Sequence, residues 1–214
     1  MKPVAFEYCR PDTMDEAMEL LAEFGGDASV ISGGLSLGAM LNMRLVRPAA
    51  LIDINRLDDL ADIRIGDAIA TTGALVRQAA AMNFPGVMSG VPLLAKALPW
   101  AGHYQTRSRG TLGGSVAHAD PSAEIPLTLV TLGGAVKLQS PGGTREVPAR
   151  EFFLGLLTTD RRADELVTSL VWPLRREKTG YAFEEIAQRH GDFAITAVAA
   201  EATVGNDGNI ADLS

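Results

Sequence analysis

The sequence predicts an α+β fold, and three observations carry that expectation. Helical and strand periodicities interleave without the regular alternation of a doubly wound sheet. Two strand pairs are joined by turns of hairpin type, one at Gly66-Asp67 and one at Pro141-Gly142-Gly143, which gives antiparallel pairing. Of the 214 residues 47% are hydrophobic and 21% charged, enough apolar material to bury a sizeable core.

Taken in order, the first element is a helix. Thr13-Met14-Asp15-Glu16 has the form of a capping box, with Thr13 as N-cap and Glu16 at N3. Apolar residues follow at Met14, Ala17, Leu21 and Phe24, and Gly25-Gly26 ends the run. Residues 29–31 read as a short buried strand, 37–45 as a helix and 50–54 as a second strand. Residues 62–73 form the first hairpin, 75–82 and 92–101 are helical, and 125–132 is an apolar helix. The second hairpin spans 135–147, and 165–172 is a strand ended by Pro173. Strands follow at 181–188 and 193–204, Asn206-Asp207-Gly208-Asn209 turns the chain, and 210–214 starts a returning strand. A hairpin is marginal alone in water, so a partner or further chain is expected to cover this end.

Composition removes several functions. A net charge of −7 argues against nucleic acid or an anionic membrane as the main partner. No apolar run reaches the roughly 20 residues of a membrane span, and the N-terminus lacks a signal-peptide core, so the expected location is cytoplasmic. Cys9 is the single cysteine, which rules out an internal disulfide, a Cys-based zinc site and an iron–sulfur cluster built from this chain. His103, His118 and His190 are scattered, so no metal site is expected. Neither the P-loop pattern, nor the G-x-G-x-x-G fingerprint, nor G-x-S-x-G occurs. No nucleophile–base pair stands out, so no catalytic residue is named and any redox chemistry falls to an organic cofactor.

Two glycine-rich stretches remain. One is Ser32-Gly33-Gly34-Leu35-Ser36-Leu37, and the other is Thr111-Leu112-Gly113-Gly114-Ser115 within the run 109–121. Glycines flanked by hydroxyl residues let backbone N–H groups converge on an anion, so two such stretches predict a diphosphate held from both sides. Asp120 and Glu124 follow at once, and carboxylates suit ribose hydroxyls. His118 reads as a ligand contact or as a hydrogen-bonded residue beside the loop. Arg107 and Arg109 read as loop anchors or as cationic partners of the diphosphate.

These residues resemble a known family. The segments Ser32-to-Leu37 and Met43-to-Pro48, the run His103-to-Pro121, Glu151-Phe152-Phe153-Leu154-Gly155 and Gly191-Asp192-Phe193-Ala194 look like landmarks of the FAD-binding (medium) subunits of molybdenum hydroxylases. Carbon monoxide dehydrogenase and xanthine dehydrogenase are of this type. The resemblance implies a vanillyl-alcohol-oxidase-type (PCMH-type) FAD-binding fold with two α+β subdomains, 1–56 and 57–176, and a C-terminal domain begun at 177–214 and left incomplete. It implies FAD as cofactor, with 32–36 and 111–115 at the diphosphate, Glu124 at the adenosine, Leu166 near the flavin or the adenine, and Phe193 near the isoalloxazine. It also implies a large molybdenum-cofactor subunit and a small iron–sulfur subunit as partners, with electrons passing from the clusters through FAD to an external acceptor. Many relatives carry Gln or Thr at Leu35 and Asn or Asp at Ser115, and some carry Tyr at Phe193. The alternative expectation is a non-catalytic assembly subunit that has lost FAD with its short C-terminus.

Overall fold

A computed structural model describes residues 2–214; Met1 alone lies outside the described residues. The chain opens with β1 (Glu7–Cys9), α1 (Met14–Phe24), β2 (Ala28–Ile31), α2 (Leu35–Asn42) and β3 (Ala50–Asp53). The three strands pair in the order β1-β3-β2, all parallel. Parallel neighbours need a crossover, and α2 supplies it between β2 and β3. The capping box at α1 is only half as predicted. Thr13 Oγ1 accepts from the Glu16 N–H at 3.2 Å, but the Glu16 carboxylate reaches back to the Asp12 N–H at 2.8 Å. Ala17, Met18 and Leu21 of α1 share a core cluster with Ile52, Ile54, Leu57, Leu60, Leu75 and Leu166, so later residues complete the first sheet's core.

A 3-10 turn at Asp58–Ala61 leads to β4 (Ile63–Ile65) and β5 (Ile69–Gly73). Six short helices follow: α3 (Gln78–Asn83), α4 (Pro85–Gly90), α5 (Pro92–Ala97), α6 (Tyr104–Arg109), α7 (Leu112–His118) and α8 (Glu124–Thr131). Then come β6 (Ala135–Ser140), β7 (Gly143–Pro148), α9 (Ala149–Phe152), the small pair β8 (Phe153–Gly155) and β9 (Thr158–Thr159), and β10 (Leu166–Pro173). The main sheet runs β4-β5-β10-β6-β7, antiparallel throughout. Its buried face packs on the helices through Leu93, Leu94, Leu98, Leu112, Ile125 and Leu129. Trp172 of β10 is fully buried and donates its indole N–H to Thr72 Oγ1 at 3.0 Å.

The last sheet is antiparallel: β11 (Thr179–Ala187), β12 (Ala194–Val204) and β13 (Ile210–Leu213). Alternation decides its seating. Tyr181, Phe183 and Glu185 point one way, and Phe183 joins the core of the main sheet while Ile186 and Val198 point outward. Of the expected terminal hairpin, β12 is covered on one face by the chain itself through Ala197, Ala199 and Glu201, whereas β13 is exposed throughout.

The helix expected at 75–82 starts only at Gln78, because the backbone before it is already engaged. Ala74 N–H bonds Thr168 O, Leu75 N–H bonds Leu60 O, and the carbonyls of Ala74 and Val76 accept from Gly113 and Leu112. The strand β1 and the helices α4 and α6 are too short to leave a readable period. In the second glycine stretch only Gly110-Thr111 is loop; Gly113 and Gly114 lie inside the first turn of α7.

Two buried acids respond to pH in opposite ways. Arg145 forks onto Glu165, Nε to Oε1 at 2.6 Å and Nη2 to Oε2 at 2.8 Å, and so holds the Glu165 carboxyl below its ordinary value. Glu124, at the start of α8, is pushed up to about 7 by burial, against a backbone hydrogen bond, with Glu185 and Asp120 adding repulsion. Arg145→Met is expected to cost on the order of 3 kcal/mol in urea unfolding at neutral pH, because it strands a buried carboxylate. For Glu124 the folded protein holds a proton that the unfolded chain releases, since its ordinary value is 4.5. Stability should then fall as pH rises from 4.5 towards 7, by at most about 3 kcal/mol. Thermal melts across that window should be flatter for Glu124→Gln than for the native chain, and equal slopes would clear Glu124 of the effect.

Candidate functional site

The first glycine turn lies between β2 and α2. Gly34 sits at φ +73° as the N-cap of α2 and provides no side-chain cap. The first-turn N–H groups of α2 therefore lack an acceptor within the helix and stand open at its positive end. Here glycine is required twice. A Cβ on Gly34 would be strained by its backbone, and one on Gly33 would lie 2.5 Å from Arg109 O.

The second turn is built differently. Thr111 caps α7, accepting from the Gly114 N–H at 3.0 Å, while Leu112 N–H bonds Val76 O at 2.9 Å and Gly113 N–H bonds Ala74 O at 3.1 Å. Ser115 N–H bonds Thr111 O at 3.2 Å. These amides are spent on the protein itself, so what the second stretch presents is hydroxyl groups and close backbone rather than open N–H donors. A Cβ on Gly113 would fall 2.5 Å from Ala74 Cβ, and one on Gly114 would fall 2.7 Å from Thr111 Oγ1 and 3.1 Å from Ser32 Oγ.

The turns are fastened to each other. Ser32 Oγ and Thr111 Oγ1 are 3.1 Å apart and share a hydrogen bond. Asn55, just past β3, donates Nδ2 to Ser32 O at 2.8 Å and accepts Arg77 Nη2 on Oδ1 at 2.6 Å. Arg77 Nη1 in turn donates to Arg109 O. Asp53 steadies this clip by accepting the Asn55 N–H at 2.9 Å and the Tyr8 hydroxyl. Burial pushes the Asp53 carboxyl up, and the bonds from Tyr8 and Asn55 outweigh it and bring it below the ordinary value.

Around the joined turns is a cavity of about 960 Å³, at the upper end of the range for small-molecule sites. Of the residues expected to bind, Ser32, Gly33, Gly34, Leu35, Ser36, Leu37, Thr111, Gly113, Gly114, Ser115, His118, Glu124, Leu166 and Phe193 all line it. Leu112 does not: it is 0% exposed, points into the main core and contributes through its backbone. Arg107 is an anchor, with Nη1 donating to Pro99 O and Gly102 O, and neither it nor Arg109 reaches the cavity wall.

The far rim is closed by the β11–β12 tip. His190 stacks on Trp100 with centroids 4.6 Å apart, and Gly191, at φ +89°, presses against the His103 ring. Phe193 stands beside them, 78% exposed. Sequence reasoning missed Gln78, Met40 and Arg161 on the wall, and it placed Met43 and Asp192 in landmark segments without giving them a contact. Gln78 is buried with Oε1 unpartnered among the described residues, and nothing in its local sequence marks it. Among the described residues no cluster of three or more His, Cys, Asp or Glu could hold a metal ion, and no helix is long and apolar enough to cross a membrane.

The donor set fits a diphosphate-bearing nucleotide. An open helix N-terminus and a ring of hydroxyls suit phosphate oxygens, and Cβ atoms on the cradle glycines would fill the space they leave. Known proteins agree. Residues 4–175 match the family model described as the FAD binding domain in molybdopterin dehydrogenase. The chain is 40% identical over 208 residues to the 6-hydroxypseudooxynicotine dehydrogenase complex subunit alpha of Paenarthrobacter nicotinovorans, covering 97% of this chain and 70% of that one. It is 38% identical over 195 residues to the caffeine dehydrogenase subunit beta of a Pseudomonas strain, covering 91% and 66%. The chain thus spans about two thirds of the length of these relatives. Among solved structures, carbon monoxide dehydrogenase from Hydrogenophaga pseudoflava superposes with a TM-score of 0.95 at 34% identity, covering 100% of this chain and 74% of that one. A cavity closed by two mutually fastened glycine turns, on a fold shared so closely with these proteins, makes this chain a member of the FAD-binding oxidoreductase subunits of the molybdopterin dehydrogenase family.

Proposed function

We propose that the cavity holds FAD and that the chain relays electrons within a molybdenum hydroxylase complex. The observation that carries the reading is the meeting of two glycine turns, one from the β1-β3-β2 unit and one from the main-sheet unit, at a single cavity. In this reading the two units are the PCMH-type subdomains 1–56 and 57–176, and 177–214 belongs to a third. The open end of α2, the Ser36 and Ser115 hydroxyls, and whichever of Ser32 and Thr111 is not donating to the other hold the diphosphate. Glu124 and His118 contact the nucleotide, Leu166 gives an apolar wall for a ring, and Phe193 lies by the isoalloxazine.

Bound FAD supplies a centre that exchanges electrons singly or in pairs. The protein's part is to bind it, orient it and limit water. In this reading iron–sulfur clusters on a small partner chain would supply the electrons, a molybdenum centre in a large partner chain would supply the substrate chemistry, and an external acceptor would complete the relay. The lone Cys9 supports that division, since this chain cannot build a cluster. The scaffold alternative has less support, because it leaves the built cavity without a use.

Flavin retention tests the reading. The purified chain should carry or take up FAD, identified by its absorbance after heat release; a chain left colourless once mixed with FAD and freed of unbound flavin would sink the proposal. Gly114→Asp places a side chain against Thr111 Oγ1 and a negative charge in the cradle, and should weaken FAD binding about a hundredfold or more. Asn55→Ala cuts the clip between the turns, and should speed FAD release about tenfold in stopped-flow fluorescence. An unchanged release rate would mean that the turns hold their spacing without the clip.

A further inference from the structure

We propose that Arg161 is a cofactor contact, its guanidinium binding oxygen atoms or an electron-rich ring edge of the flavin nucleotide. The inference rests on the reading of the cavity as the FAD site. Among the residues that line the cavity Arg161 is the one Arg or Lys. FAD brings a negatively charged diphosphate and two ring systems with carbonyl or ring-nitrogen acceptors. The other charged side chains on the wall are acids: Asp120, Glu124, Glu165 and Asp192.

The bonding of Arg161 leaves it free for a ligand. Its Nη1 donates to Glu165 O at 2.8 Å and to Arg162 O at 3.0 Å. A guanidinium has five N–H donors, and among the described residues Nε and Nη2 of Arg161 have no protein acceptor and no carboxylate lies within ion-pair reach. The nearby acids are engaged elsewhere. Glu165 is held by Arg145 and by the Arg162 N–H, and Asp192 by Arg189. Burial pulls the Arg161 guanidinium below its ordinary value, with the fields of Glu165 and Asp164 acting against it. Desolvating a cation without a paired anion is costly unless something else compensates it.

The competing explanation is that Arg161 merely anchors the loop 160–165. That loop has anchors already: Arg145 donates to Asp160 O and to the Asp160 and Glu165 carboxylates, and the Arg162 N–H donates to Glu165 Oε2 at 2.7 Å. The two carbonyl bonds instead fix the guanidinium plane before any ligand arrives, which is how a planar fork keeps its entropy cost low.

The test uses the whole chain stripped of flavin, with Arg161→Leu, Arg161→Gln and Arg161→Lys beside the native residue. Each is titrated with FAD, riboflavin and ADP, and the melting temperature of each is measured without ligand. Arg161→Leu and Arg161→Gln should weaken FAD binding about tenfold or more, with Arg161→Lys between them and the native chain. The loss should recur with one half of the cofactor: with ADP if the contact is at the nucleotide, with riboflavin if it is at the flavin. FAD affinity within about twofold of native in Arg161→Gln overturns the proposal, and does so the more plainly if the ligand-free melting temperature falls, because that pattern marks an anchor. A native chain that binds no FAD would instead overturn the reading of the cavity.

Discussion

Everything at the site depends on one close approach. At Gly33 the first turn comes so near Arg109 O and Gly110 that no side chain fits between the two backbones. Such contact buries polar backbone, and it holds only because each group finds a partner: Arg109 O takes Arg77, Ser32 O takes Asn55, and the Ser32 and Thr111 hydroxyls take each other. The site is made by the seam between two units, and neither unit contains it alone.

The two sides of that seam divide the work unequally. The α2 end keeps its amides open, while the α7 end spends its amides on Ala74, Val76 and Thr111 and so locks itself to β5 and the chain before α3. One side offers open backbone amides and the other hydroxyl groups on backbone fastened to the main sheet. A ligand bonded from both is oriented as well as held, which is what an electron carrier requires of its protein.

The site was more legible in the sequence than the fold around it. Glycine, serine and threonine at close spacing announce backbone approach and hydroxyl donors directly, and all but Leu112 of the expected binding residues face the cavity. Leu112 fails for a readable reason: the loop expectation ignored that a helix starting at that residue puts Leu112 and Val116 on one face, and that face meets the core. The short helices α4 and α6 and the strand β1 left too few residues for any period to show. Gln78 and Arg161 were invisible because long-range folding puts them at the wall, and no local pattern encodes that. The seating of β11 on the main core was hidden for the same reason, since strand alternation tells which residues share a face but not what that face meets.

The stack of His190 on Trp100 gives the molecule a built-in reporter. The chain has two tryptophans, and Trp172 is sealed in the core. Trp100 is only partly buried and is tied through His190 to the tip that carries Gly191, Asp192 and Phe193 to the rim. Indole emission therefore separates into a steady signal from the interior and a variable one from the mouth of the cavity. Opening or closing of the mouth can be followed optically in the native chain, without a label.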